Sequence, residues 1–341
     1  MKQISTQDAI GHVLCHDITR IARGVSKGTA FRKGHIVREE DIPALLALGK
    51  ENLYVWEEQQ AMLHENEAAN ILYTICAGNH MHPSEVKEGK IEVIADCDGL
   101  LLVDTEKLLA INSLGNMMIA TRHSGFPVKK GDKLAGTRII PLLIEKEKMQ
   151  KARDIGGRQP LLALKSFIPK KCGIVTTGSE VFHGRIKDTF TPVIEAKLAE
   201  YGAKVCEKTV LSDDAKAITN ALVSMIQNGA EMVICTGGMS VDPDDRTPQA
   251  IRNTGADIVT YGTPVLPGAM LMLAYYQSII PVVGLPGCVM YAKRTVFDIV
   301  LPKLLTDVPI TAEWVSALGH GGLCLDCDIC TYPNCGFGKG A

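Results

Sequence analysis

Residues 232–248 leave the chain little freedom in how it folds. Residues 232–235 are an apolar run of strand length that breaks at once into Thr236-Gly237-Gly238, where backbone without side chains can lie close against a ligand. Asp242, Asp244 and Asp245 follow, and Thr247-Pro248 supplies an N-cap residue and a first-turn proline for a helix. A strand, a glycine turn, a group of carboxylates and a helix start therefore share one short stretch. Free backbone N–H groups in such a turn suit an anion, and carboxylates beside them suit a hard cation that bridges phosphates. The chemistry this predicts is magnesium and phosphate.

The same punctuation runs from about residue 168 to 307. Residues 172–177 read as a strand that ends in Thr177-Gly178-Ser179-Glu180, and Thr191-Pro192 opens a helix with Val193, Ile194, Ala196 and Leu198 as its apolar stripe. A strand over 204–211 leads into Ser212-Asp213-Asp214, which caps a helix whose Ile218, Leu222, Met225 and Ile226 share one face. Beyond the 232–248 stretch, two apolar runs end at Pro267-Gly268 and Pro286-Gly287, and an amphipathic helix is expected over about 289–301. Strands alternating with helices predict an α/β domain: a doubly wound, mostly parallel sheet with its ligand at the carboxyl ends of the strands. Each turn named here is expected just after a strand, so the candidate residues converge.

The register of these turns resembles the molybdopterin-binding fold, which molybdopterin adenylyltransferases and molybdopterin molybdenumtransferases share. Thr236-Gly237-Gly238 followed by Pro243-x-Asp245-x-Thr247-Pro248 is similar to its signature loop, and Ser240-Val241 ahead of Asp245 is similar to the transferase form of that loop. Thr177-Gly178-Ser179-Glu180 stands where the family reads Thr-Gly-Asp-Glu-Leu, and Gly184-Arg185-Ile186-Lys187-Asp188 matches its Gly-x-Ile-x-Asp. The resemblance implies molybdopterin or adenylylated molybdopterin as substrate, molybdate as co-substrate and release of AMP. It implies catalytic roles for Glu180, Asp213 and Asp245, with magnesium on Asp213 and Asp245. It further implies substrate-binding roles for Thr177, Gly178, Asp188, Thr236, Gly237, Gly238, Ser240, Pro267, Gly268, Pro286 and Gly287. Helix capping is the competing role for these acids, and for Asp213 above all.

The chain departs from that pattern in places. The family's Lys-Pro-Gly-Lys-Pro appears as Val265-Leu266-Pro267-Gly268-Ala269-Met270, without either lysine, and Leu-Pro-Gly-Asn-Pro appears as Leu285-Pro286-Gly287-Cys288-Val289. Lys293 and Arg294 are the nearest replacements for the missing cations. Three readings follow: insertion of molybdate into adenylylated molybdopterin, a non-catalytic molybdopterin carrier or sensor, and molybdopterin adenylylation. A homodimer is the family expectation, and a molybdoenzyme or another cofactor-assembly protein is the expected protein partner.

At 341 residues the chain has room for several domains. Residues 1–58 read as a small α+β unit, with a strand over 53–56, and 59–158 as a β-rich accessory domain. In the latter a hairpin is predicted from the runs 91–95 and 99–103, and a charged linker over 146–158. The molybdopterin-binding domain spans 168–307 and a cysteine-rich tail 308–341. A net charge of −2 gives no general pull toward nucleic acid or anionic membranes. The absence of a leader-like start and of an apolar run of membrane-span length sets the expectation of a cytoplasmic protein.

Of eleven cysteines, seven are scattered and mostly sit in apolar runs, as small hydrophobes do in a reducing compartment. Cys324, Cys327, Cys330 and Cys335 are different. Their C-x2-C-x2-C-x4-C spacing approaches the ferredoxin run and equally suits tetrahedral zinc, so an iron–sulfur cluster or zinc is expected there. Glycines on both sides predict a flexible arm.

Overall fold

The computed structural model describes residues 2–22, 25–55, 61–240 and 242–340; Trp56 of the predicted strand and Val241 of the signature loop lie outside them. The chain divides into two compact, interleaved units. One is built from Met1–Asp96, Val103–Arg122 and Gly131–Ala163, the other from Cys97–Leu102, His123–Lys130 and Leu164–Ala341.

The second unit is α/β. Strands β1 (Lys171–Thr177), β2 (Lys204–Leu211), β3 (Met232–Thr236), β4 (Asp257–Tyr261), β5 (Met272–Tyr276) and β6 (Ile280–Leu285) form a six-stranded sheet in the order β2-β1-β3-β6-β5-β4. The first four in that order are parallel, and β5 and β4 continue the sheet antiparallel. Side chains alternate across it as strand geometry requires. Ile174 and Ile234 pack in one core with α1 (Phe190–Ala199) and α4 (Val296–Leu304). Val175, Val233 and Cys235 pack in the opposite core with α2 (Ala215–Gln227) and α3 (Thr247–Asn253). Helices thus cover both faces, and burial on both sides explains why the strands read as unbroken apolar runs. The chain steps from β1 to β2 on one side and returns to β3 on the other. The β1/β3 boundary is therefore the point where strand order reverses, the place where such sheets open a ligand crevice.

Two expectations within this unit are corrected. Pro267-Gly268 does not close a strand of the sheet: it lies in the connection between β4 and β5, and Leu266 beside it forms a bridge with Leu323. The last helix starts later than expected. Residues Gly287–Met290 form a short 3-10 turn, and α4 begins only after Thr295, whose side chain caps Phe297 N while Asp298 reaches back to Thr295 N. That capping box fixes the start more firmly than the apolar pattern does.

In the first unit, Met81–Pro83, Lys90–Ala95, Lys133–Ile139 and Met117–Thr121 form a four-stranded sheet in that spatial order, with the helix Glu65–Cys76 packed on it. The predicted hairpin is wrong. Gly99–Val103 pairs instead with Phe126–Val128 and Leu162–Ser166, in a separate three-stranded sheet whose residues fall mostly in the second unit. Asp98 explains the switch: it accepts hydrogen bonds from Lys130 N at 2.8 Å and Lys129 Nζ at 2.9 Å, so the turn residue is bound to a distant strand. The charged linker is likewise a helix, Lys146–Gly156, which buries Met149, Ala152 and Gly156 on one side.

The tail is not a flexible arm. Cys324 N donates to Leu266 O at 2.8 Å and Gly338 N to Gly321 O at 2.9 Å, while Phe337 is buried in the α1/α4 core. A Cβ on Gly338 would stand 2.8 Å from Ile299 Cδ1, so glycine is what lets the tail close on α4. No helix among the described residues is long and apolar enough to cross a membrane.

Candidate functional site

At the carboxyl ends of β1, β2 and β3 a cleft of about 960 Å³ opens, lined by residues that directly follow those strands. A volume of this size accommodates a nucleotide-sized ligand. Thr177, Gly178 and Glu180 enter it from β1, Asp213 from β2, and Gly237, Gly238 and Asp245 from β3. Seven of the residues expected from sequence are thereby brought together.

Close backbone approach shapes the floor. Gly237 has φ +87°, and a Cβ there would lie 2.1 Å from Thr177 O; Gly238 has φ +55°, with Thr247 Oγ1 3.0 Å from the same position. Only glycine satisfies both the left-handed backbone and the contact. These glycines admit the neighbouring strand end, and the cleft forms beside them. Thr247 locks the loop: its Oγ1 donates to Gly237 O at 2.8 Å and stands 3.1 Å from Thr177 Oγ1, while its N–H donates to Gly238 O at 3.2 Å.

The two aspartates after β2 divide their work. Asp214 caps α2, accepting from Lys216 N at 2.8 Å and Ala217 N at 3.1 Å. Asp213 is therefore released from the capping role. Its Oδ2 accepts from Ser179 N at 2.9 Å and Ser179 Oγ at 3.0 Å, which ties the β1 and β2 turns together across the cleft wall. Asp245 stands apart from both: its Oδ2 is buried with no hydrogen-bond partner. A buried, unpaired carboxylate oxygen is costly, and such a group is satisfied by a ligand, a cation or water.

Other expected residues fall elsewhere. Asp188 does not line this cleft. It serves as a helix cap, accepting from Phe190 N at 2.9 Å, Thr191 N at 3.1 Å and Thr191 Oγ1 at 2.5 Å. Burial pushes its carboxyl up, but these bonds, joined by one from Thr176 Oγ1, outweigh that and hold it below the usual carboxylate range. Thr236 is fully buried, and its Oγ1 also lacks a partner. Ser240 is exposed outside the cleft lining. Pro286-Gly287 leads to Met290, which does line it, whereas Pro267 lines a second cavity and Gly268 packs against Val296.

Lys187 and Arg246 line the cleft and were not singled out from sequence. Each sits next to a residue that was, Asp188 and Asp245, and that adjacency was the available signal. Lys293 and Arg294 do not substitute for the missing lysines. Lys293 donates to Cys327 O at 2.9 Å and Asp328 O at 3.1 Å, and Arg294 to Glu200 at 3.0 Å and Asp298 at 2.8 Å. The cleft lining thus holds Glu180, Asp213, Asp214, Asp242, Asp244 and Asp245 against Lys187 and Arg246. Such an excess of negative charge accepts a phosphate only together with a cation.

Cys324, Cys327, Cys330 and Cys335 line the second cavity, of about 610 Å³. Among the described residues no group of three or more His, Cys, Asp or Glu side chains is arranged to hold a metal ion, on the tail or around Asp213 and Asp245.

Residues 173–306 match the family model described as "Probable molybdopterin binding domain", and residues 3–57 match a domain of unknown function. A CinA-like protein of Amoebophilus asiaticus is 37% identical over 78 residues, 23% of this chain and 19% of that protein. One of Mycobacterium tuberculosis is 31% identical over 93 residues, 27% and 22% of the two chains. The chain thus spans about a fifth of the length of these relatives. Among solved structures, the molybdopterin biosynthesis enzyme MoaB of Thermus thermophilus aligns at 21% identity with a TM-score of 0.35, covering 42% of this chain and 97% of that one. CinA of Thermoplasma acidophilum aligns at 19% identity with a TM-score of 0.31, covering 35% and 88%. The segment that carries the cleft, residues 173–306, is thus the one similar to the family described as a probable molybdopterin-binding domain.

Proposed function

We propose that the cleft binds adenylylated molybdopterin together with magnesium, and that the chain inserts molybdate at the dithiolene with release of AMP. The observation that carries this reading is the orphaned Oδ2 of Asp245 in a cleft rich in carboxylates. Magnesium fits that donor set, because it keeps several waters and needs only one or two protein carboxylates beside the phosphates. Asp245 would hold it, with Asp213 on the β2 turn of the same cleft as the second candidate ligand; bound magnesium would supply charge neutralisation at the phosphoanhydride. The chain's own groups position the ligand. Backbone N–H groups of the Gly237-Gly238 turn would face phosphate oxygens, Lys187 and Arg246 would balance their charge, and Glu180 would orient the attacking oxygen. A water oxygen bonds to the molybdopterin phosphorus as the P–O bond to AMP breaks, AMP leaves with the electron pair, and the water's protons pass to solvent; at the dithiolene two Mo–S bonds form as one molybdate oxygen leaves as water with the two thiol protons.

A single-turnover assay tests the reading: the full chain, adenylylated molybdopterin and magnesium, with and without molybdate, followed for AMP. Molybdate-dependent AMP is expected. Asp245→Asn should lower it at least about 100-fold with an unchanged melting temperature, since Asp245 Oδ2 makes no bond that the fold needs. Ligand that binds and is never cleaved points to the second reading, a non-catalytic molybdopterin carrier, which the engagement of Lys293 and Arg294 outside the cleft favours. ATP-dependent adenylylation of free molybdopterin would identify an adenylyltransferase instead.

A further inference from the structure

We propose that the second cavity holds an iron–sulfur cluster, ligated by Cys324, Cys327, Cys330 and Cys335, at a site separate from the phosphate cleft. All four thiols of a C-x2-C-x2-C-x4-C run line one cavity of about 610 Å³, although they span twelve residues of chain. Their spacing approaches the ferredoxin run C-x2-C-x2-C-x3-C, whose thiolates bind different irons of a bulky core, and the cavity they line leaves room for such a core. Among the described residues no three of these side chains are already drawn together as a metal site, so the proposal requires the four thiols to close on the core as it is assembled.

The surroundings suit an anionic cluster. Leu323, Leu325, Tyr332 and Phe337 wall the cavity with apolar surface. Lys293 and Arg294 line it too, bringing positive charge next to four thiolates. Lys293 also donates to Cys327 O at 2.9 Å and Asp328 O at 3.1 Å, so the cation that offsets the charge also fixes the ligand loop. Tyr332, between the third and fourth cysteines, donates its hydroxyl to Asp298 O at 2.9 Å and lies under the Arg294 guanidinium at 5.4 Å. The long last gap is thereby anchored to α4. A loop pinned at Cys324, Cys327 and Tyr332 keeps its thiols around a preformed space, which is the property a cluster site needs and a disordered tail lacks.

The test is metal and sulfide content of the full chain, purified without oxygen and reconstituted with ferrous iron and sulfide, beside a sample offered zinc alone. About four iron atoms and about four acid-labile sulfides per chain are expected, with a broad visible absorption that fades on adding dithionite. Cys330→Ser, an exposed position, should lose most of the iron and sulfide while keeping the parent circular dichroism. Cys206→Ser, an exposed cysteine outside the run, should keep both. One zinc per chain without sulfide, a folded chain that takes up neither, or equal loss in Cys206→Ser and Cys330→Ser would overturn the proposal. The stoichiometry of the unaltered chain decides the matter even where a variant misfolds.

Discussion

Gly237 shows how a residue expected to face a ligand can be required for another reason. Its side-chain position is filled by the Thr177 carbonyl, and its φ of +87° excludes other residues. Gly237→Ala should lower stability by about 1–3 kcal/mol, read as a fall in the midpoint of thermal unfolding, and should weaken ligand binding by separating the β1 and β3 ends. The aspartate pair after β2 gives a sharper contrast. Asp214→Ala removes two hydrogen bonds to the first turn of α2 and should cost about 1 kcal/mol of stability, with a smaller change in ligand affinity than Asp213→Ala. Asp213→Ala frees Ser179 and should weaken binding in calorimetry with a smaller change in stability. Sequence alone placed Asp213 and Asp214 together at a helix start and could not divide them, because the division depends on Ser179, a residue 34 positions away. Lys187 and Arg246 escaped notice because a charged loop residue has no local pattern that separates a ligand contact from a solvated side chain.

At the scale of elements, α4 is the best-tied helix of the α/β unit. Asp298, 2% exposed, accepts from Lys197 of α1 at 2.6 Å, from Arg294 at 2.8 Å and from Thr295 N at 2.7 Å. Desolvation lowers the proton affinity of Arg294, yet its bonds to Glu200 and Asp298 more than reverse that, so the guanidinium stays charged. Asp298→Ala would strand Lys197, itself buried, without a counter-ion. A loss of about 3–5 kcal/mol is expected, seen as an earlier urea midpoint. The parallel strands were legible because burial on both faces leaves an apolar run, and their stops because glycine follows β1 and β3, Ser212-Asp213-Asp214 follows β2, and Pro286-Gly287 follows β6. The helix Lys146–Gly156 was not: Met149, Ala152 and Ile155 are its few apolar cues within a charged segment. The Gly99–Val103 pairing was hidden because a hairpin signal is local, and the bond from Lys130 to Asp98 is not.

For the whole molecule, acid should erode stability in two steps. Burial lowers the proton affinity of His16 and His64 below the ordinary 6.5, mainly by desolvation. Hydrogen bonds depress Glu92 and Asp98, from ordinary values of 4.5 and 3.8. Both classes bind protons more readily when unfolded, so each contributes stability above its unfolded value that is lost as the pH falls through the folded one. Melting temperatures should therefore drop on acidification from about pH 6.5 and again below about pH 4.5; His64→Asn should flatten the first step. A melting temperature that holds level from pH 7 to pH 5 would count against it. The interleaving of the two units has a different kind of consequence. Residues 97–102 and 123–130 lie within the first half of the chain yet belong with the α/β unit. No single cut separates the units, so a gene fragment ending near residue 163 would carry away two strands that its partner needs. Recombination between relatives can exchange this pair of units only together, and any attempt to graft the cleft onto another protein must bring those two short segments with it.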